Sequence, residues 1–398
     1  MSREISPRAV TVAAASGVGL GVLSALASLG TATYFARRVV TPESEKKDDT
    51  WVLDVGEDTV TLVATPSTLS PGRYGLWLDG GAGHLRLGEV VGTDLTARRA
   101  SGRTVTRRLL GVDAGVPAPG SARWNTYYFC GDPSALDLAF DDVLVPAEIG
   151  ELPAWRVPPG CGDGSRWAIL VHGRSANRVE TLRALPVLHG LGMTSLVPMY
   201  RNDEGAPPSV DGRYNLGLSE WRDVEAALRY ALAQGAREVT LVGWSMGGSL
   251  VLQLLDRSDL SGWVDSVVLD CPVIDWTSVL RHQADVNRLP RPADQLARLL
   301  MGRRSTRFLI GVAEPLDLAV TNWVDRAEEL NHPILLIHSA TDETVPYQPS
   351  VRLADRRPDL VTLDLWHGPL HCQEWNTDSE RWERTVREFL SRGDAPGA

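Results

Sequence analysis

Between residues 160 and 370, short unbroken apolar runs alternate with longer stretches whose apolar positions recur every three or four residues. The runs are Trp167–Val171, Thr194–Met199, Val239–Val242, Val264–Leu269, Pro333–Ile337 and Val361–Trp366. A short run with no polar alternation is what a strand covered on both faces requires. The stretch Glu220 to Leu232 shows the other pattern. Trp221, Val224, Ala227, Leu228 and Ala231 fall at helical spacing and give one apolar face. Such alternation predicts an α/β fold, a mostly parallel sheet flanked by helices. Val143–Val145 and Ala154–Val157, joined around Gly150, read as an antiparallel hairpin that opens the sheet. Trp276 to Asn331 is a long, partly helical insertion between two of the strands.

The first third of the chain is patterned differently. From Trp51 to about Asp132 it is β-rich, with short strands expected at Thr59–Ala64, Tyr74–Leu78 and His84–Val91. Pro71-Gly72 and Asp79-Gly80-Gly81 supply the turns. Ahead of this region, Ala9 to Ala36 contains no charged residue and ends in Tyr34 and Phe35, followed by Arg37 and Arg38. That length covers the ~30 Å hydrocarbon core of a bilayer, so a single N-terminal transmembrane anchor is expected; a cleaved signal peptide is the competing reading. Counting Lys and Arg on either side leans towards a cytoplasmic catalytic region. The chain then divides into an anchor at 1–39, a linker and β-rich region at 40–134 and a catalytic region at 135–398. On this division, removal of residues 1–39 should leave the catalytic packing intact.

Candidate chemistry lies in the second region. Gly243-Trp244-Ser245-Met246-Gly247-Gly248 follows one apolar run and opens a helical one. Gly-x-Ser-x-Gly in that context lifts a serine hydroxyl clear of a sheet, with glycines where side chains would collide with helix and strand. The hydroxyl of Ser245 needs a base, and the base needs an orienting acid. Asp342 sits in the turn after the strand Pro333–Ile337 and is the expected acid, with Glu343 and Asp270 as alternatives. His371, in the loop after Leu360–Trp366, is the expected base, with His367 as its competitor. The oxyanion hole should use the N–H groups of Met246, directly after the serine, and Arg174, in the loop after Trp167–Val171. His172 should pack and hydrogen-bond within that turn.

With these residues in view, the chain resembles the α/β-hydrolases of the serine-aminopeptidase and lysophospholipase-like group, and more narrowly a set of membrane-anchored bacterial hydrolases. The resemblance is carried by Val171-His172-Gly173-Arg174, Tyr200 to Pro207, Gly243 to Gly248, Leu269-Asp270-Cys271-Pro272, His371 before Glu374-Trp375-Asn376, and Pro71 to Trp77. It covers most of the chain. It implies the α/β-hydrolase fold and the Ser-Asp-His triad, and it makes the insertion at about 276–331 a lid. Ser339 departs from the pattern, because many relatives have glycine after the strand histidine.

Composition narrows the partners. A formal net charge of −10 over 398 residues excludes a nucleic-acid footprint. The four cysteines, Cys130, Cys161, Cys271 and Cys372, show no metal spacing; Cys271 and Cys372 read as packed thiols, and Cys130 and Cys161 could pair in an exported domain. No dinucleotide fingerprint or P-loop is present, so no cofactor and no metal are expected. Between Arg281 and Arg307 seven arginines face only Asp285 and Asp294, a pattern suited to anionic substrates or simply to a solvated helix face. The expected activity is serine hydrolysis of a carboxylic ester, thioester or amide, esterase- or lipase-like, on a small-molecule or lipid-like acyl substrate, with the membrane reached through the N-terminal helix. The alternatives are an aminopeptidase-like enzyme using Glu314, Asp317, Glu328 or Glu329 to receive a substrate ammonium, an acyltransferase, and a non-catalytic scaffold.

Overall fold

The structure is a computed structural model describing residues 27–43, 47–97 and 102–392. Its β-rich part is a closed six-stranded barrel. The strands are β1 (Thr50–Val55), β2 (Thr59–Val63), β3 (Tyr74–Leu78), β4 (Gly83–Asp94), β5 (Thr104–Ala114) and β6 (Gly120–Asn125), in the order β1-β2-β5-β4-β3-β6. Alternation places Val60, Leu62, Leu76, Leu85, Val105 and Ala122 inside, and closure removes exposed sheet edges. The sequence pattern locates β2, β3 and β4 but not β1, β5 or β6. Arg107 is a fully buried charged side chain of the barrel. Arg107 donates to the carbonyls of Gly88, Thr68, Ser70 and Gly72 at 2.6–2.9 Å. Burial pulls its guanidinium down to about 10, and these carbonyls satisfy the donors that burial removes from water.

The second part is an eight-stranded sheet. Its strands are β7 (Asp141–Ala147), β8 (Gly150–Val157), β9 (Arg166–Val171), β10 (Thr194–Pro198), β11 (Glu238–Trp244), β12 (Val264–Asp270), β13 (Ile334–Ser339) and β14 (Val361–Trp366), in the order β14-β13-β12-β11-β9-β10-β8-β7. β7 and β8 form the antiparallel hairpin, β8 pairs antiparallel with β10, and the remaining pairs are parallel. The mostly parallel sheet is what the alternation of apolar runs predicts, and its order is that of the α/β-hydrolase fold that the resemblance implies.

The helices, in chain order, begin with α1 (residues 27–40) and α2 (Pro66–Leu69). Those around the sheet are α3 (Leu185–Gly190), α4 (Trp221–Ala233), α5 (Met246–Arg257), α6 (Trp276–Val286), α7 (Arg291–Gly302), α8 (Arg307–Ile310), α9 (Gln348–Arg356), α10 (Glu374–Thr377) and α11 (Ser379–Leu390). The core lies on both faces of the sheet. Leu185 and Leu188 of α3 and Trp382 and Val386 of α11 cover one face. Val224 and Ala227 of α4, Leu250 of α5 and Leu353 of α9 cover the other. The insertion between β12 and β13 consists of α6, α7, α8 and two short 3-10 turns.

Two elements outside the sheet are fastened to it. The barrel docks on the segment after β14. Asn376 Nδ2 donates to Arg73 O and Thr126 O at 2.7 and 2.9 Å, Arg73 N–H donates to Asn376 O, and the Tyr74 hydroxyl donates to Gln373 Oε1. α1 packs against the catalytic core with Ala32, Ala36 and Val40 fully buried and Phe35 nearly so. Residues 27–39 are thus packed on the core, whereas the sequence pattern sets 1–39 apart as an anchor. Most of the uncharged span Ala9–Ala36 lies outside the described residues; at its described end Ala32, Phe35 and Ala36 belong to the main core cluster. Among the described residues no helix is long and apolar enough to cross a membrane.

Ala36→Asp, which places an unpaired carboxylate at a position with no exposure, should therefore cost about 3 kcal/mol or more. Arg37→Asp, on the exposed side of the same helix, should shift the thermal midpoint little. Equal midpoints for the two variants would refute the docking of α1.

Candidate active site

β11 ends at Trp244, and α5 begins two residues later. Ser245 makes that turn with φ 52° and ψ −116°, a strained backbone for a residue with a side chain. The glycines make it possible. A Cβ on Gly247 would lie 2.2 Å from Val171 O, and one on Gly243 would lie 2.8 Å from Gly248 N. The strand end and the helix start thus touch backbone to backbone. Ser245 N–H donates to Asp270 O, and Ser245 O accepts from Gly248 and Val273, so the turn is tied to β12 as well.

His371 Nε2 stands 2.9 Å from Ser245 Oγ, and its Nδ1 stands 2.7 Å from Asp342 Oδ2. The three residues come from the turn after β11 and the loops after β13 and β14. Asp342 is held from several sides. Its Oδ1 accepts from Thr344 N–H and Val345 N–H, both at 2.8 Å, and His338 Nε2 lies 3.3 Å from its Oδ2. Burial alone would raise the Asp342 carboxyl; the charge of His371 and hydrogen bonds from His338 and His371 outweigh it and hold the group well below the carboxylate range. Burial likewise acts to lower His371, but the facing Asp342 carboxylate and the Cys372 thiol raise it well above 6.5.

The competing residues stand elsewhere. Asp270 is buried behind the site, its Oδ2 accepting from Trp382 Nε1 at 2.9 Å, and burial raises it despite Arg183. Glu343 meets the backbone N–H of His371, not its ring. His367 is exposed. Ser339 braces the site from outside the triad. Its hydroxyl and that of Thr341 both donate to Pro369 O, which joins the Asp342 loop to the His371 loop.

The loop after β9 abuts the serine, and Arg174 and Ser245 border one cavity. Met246 is the first residue of α5, where helix N–H groups lack intrahelical partners. The loop is fixed by groups that the sequence pattern does not reveal. Gly173 N–H donates to Glu180 Oε2 at 2.7 Å, and Gly173 O accepts from the Tyr200 hydroxyl at 2.8 Å. His172 is buried in the turn, its ring nitrogens facing Gly173 O and Asp203 Oδ2. The cavity measures about 490 Å³, and α1 and α6 form its apolar sides. Of the acids expected to receive an ammonium, Glu314 pairs with Arg307 and Glu329 with Arg326; none borders the cavity, whose acids are Glu43 and Glu343.

Cys271, His371 and Cys372 bring ligand-capable atoms within 4.8 Å of one another. Both nitrogens of His371 already face Ser245 and Asp342, and burial pushes the Cys271 thiol well up, away from the thiolate a metal requires. These groups fit a hydrogen-bonded cluster better than a coordination shell. Cys130 and Cys161 are free thiols.

Fold and site geometry together define a class, and comparison with known proteins places the chain within it. Residues 157–396 match the alpha/beta hydrolase family, and the chain belongs to that family. Residues 51–125, the barrel, match a family described as a domain of unknown function. The uncharacterized protein YqkD of Bacillus subtilis (strain 168) is 24% identical over 256 residues, which span 62% of this chain and 78% of that protein. The Pyrococcus furiosus esterase Pf2001 superposes in two crystal forms with TM-scores of 0.51 and 0.52 at 18% identity. Each alignment covers 66% of this chain and 96% or 94% of the esterase, a likeness of fold.

Gly247→Ala should prevent the elbow from closing, because the clash is with backbone that cannot move aside. The expected cost is about 3 kcal/mol or more, read by chemical denaturation. Gly190→Ala, where the added carbon meets nothing within 4 Å, should be neutral or slightly stabilising.

Proposed function

We propose that the chain is a serine hydrolase that cleaves carboxylic esters through an acyl-enzyme on Ser245. The observation that carries this reading is the hydrogen-bonded line Ser245–His371–Asp342, set on a strained turn at the base of an apolar-sided cavity. Ser245 Oγ attacks the substrate carbonyl carbon as His371 Nε2 takes its proton. The oxyanion is met by the N–H groups of Met246 and Arg174. The tetrahedral intermediate collapses, the C–O bond to the alcohol breaks, and His371 returns the proton to the leaving oxygen. Water, activated by His371, then releases the acid and restores the hydroxyl. Asp342 fixes the ring tautomer and stabilises the imidazolium. The helical insertion, with α6 on the cavity wall, serves as the lid.

An ester is favoured over a peptide because the cavity sides are apolar and the lid acids lie off the cavity. The fold is shared with the Pf2001 esterase, and that likeness is consistent with the reading. A membrane location for the substrate rests on the uncharged run Ala9–Ala36 alone.

A fluorophosphonate probe should label the full-length protein, and Ser245→Ala should abolish labelling with the fold retained. Labelling that persists on the mutant would place the nucleophile elsewhere.

The pH dependence follows from the raised His371. Only its neutral form accepts the serine proton, so kcat/KM should rise with pH through a value above 6.5. Asp342→Asn removes the charge that raises it. The limb should then move to lower pH and the plateau should fall by roughly 10⁴-fold, far more than for Asp270→Asn. Equal losses in the two variants would transfer the acid role to β12.

A further inference from the structure

The cavity above Ser245 has a wall that the hydrolase-family segment does not supply. Tyr34, Phe35, Arg38 and Val39 of α1 form one side, and Trp276, Val279, Leu280 and Gln283 of α6 form the other, with Ser245 and His371 also on the lining. α1 precedes the barrel, far from the family-matched residues 157–396.

α1 is fastened to the loop that abuts Ser245. The last carbonyls of a helix have no intrahelical donors, and a cation there complements the helix dipole. Arg174 supplies both needs. Its guanidinium donates to Arg38 O, Val39 O and Thr41 O at 2.8, 2.8 and 2.9 Å, and it lies 3.4 Å from Glu43. Tyr214 N–H donates to Val40 O at 2.8 Å, and Arg213 reaches the Thr41 hydroxyl. Arg174 belongs to the loop that abuts Ser245, so one residue joins that loop to the wall. Ala32, Phe35, Ala36 and Val40 seat the helix in the core, and Val39 packs against the same cluster. The wall is thus fastened at its C-terminal end and along its core face, and Tyr34, 69% exposed, is its solvent-facing lining residue.

We propose that α1 is the specificity-determining wall of the site. The apolar acyl chain of the substrate lies in the slot between α1 and α6, extending from Ser245 past Val39 and Phe35 towards Tyr34. The slot selects esters of extended, uncharged acyl groups over acetyl-sized ones. This assignment rests on Ser245 being the nucleophile.

The test measures selectivity without turnover. Second-order labelling rates of the full-length protein are determined with an ethyl and an octyl fluorophosphonate, and the octyl/ethyl ratio is compared between variants. Val39→Trp fills the slot and should lower the ratio about tenfold. Tyr34→Ala removes contact at the exposed end, with little risk to folding, and should lower it about threefold. Unfolding midpoints are measured alongside. A ratio that changes by less than twofold in Tyr34→Ala while labelling at Ser245 persists overturns the wall, even if Val39→Trp fails to fold. Absence of labelling in the wild-type protein overturns the serine-hydrolase reading instead.

Discussion

The contact between Gly247 and the carbonyl of Val171 is the constraint on which the site depends. It lets α5 start directly against the end of β9, and that proximity forces Ser245 into a left-handed turn. A strained residue of this kind costs about 1–3 kcal/mol, and it persists only where packing leaves no alternative. Here the packing is extensive. Leu250, Val251, Leu252 and Leu254 of α5 are fully buried, and the Ser245 backbone is bonded to Asp270 and Val273. The helix cannot relax away from the sheet without exposing that surface, so the serine hydroxyl stays where His371 can reach it.

The other parts of the site are fixed from outside the sheet. The acid loop is tied to the histidine loop through Ser339, Thr341 and Pro369. The histidine loop leads into Gln373 and Asn376, which the barrel grips. The loop of Arg174 is joined to α1. Each attachment is made by hydrogen bonds to backbone carbonyls or side-chain amides at buried or half-buried positions, where an unmade bond costs more than a made one contributes. The barrel and α1 are accordingly fastened to the loops that carry His371 and Arg174.

Much of this was legible in the sequence, for identifiable reasons. The strands of the sheet showed because each is buried on both faces and so reads as an unbroken apolar run. The elbow showed because its glycines are required by contacts that admit no side chain. The Asp342 and His371 positions followed from chain order and from their place after strands. What was hidden depends on tertiary contact. Glu180 bonds to Gly173 from a 3-10 turn whose sequence gives no sign of it. His338 looked like an ordinary strand residue, although its spacing of four from Asp342 could have suggested the contact. β5 was missed because Arg107 and Arg108 interrupt its alternation, and the buried Arg107 breaks the rule that charge faces outward. Apolar length alone suggested a membrane segment at Ala9–Ala36; the same small apolar residues at 32, 36 and 40 also suit a helix packed closely against a protein core.

Asn376 carries a consequence for the order in which the molecule is assembled. Its amide reaches back across 303 residues to Arg73 and 250 residues to Thr126. During synthesis the barrel strands emerge first and can close on themselves, because all six pair among one another. Their partner surface does not yet exist. It arrives only with the turn that follows β14, late in elongation, in the same stretch that brings His371. A ribosome that stalls before that point leaves a closed barrel with an unmet docking face and Ser245 without its His371 partner. The nascent protein therefore gains the Ser245–His371–Asp342 hydrogen-bonded line and its interdomain seam in a single late event.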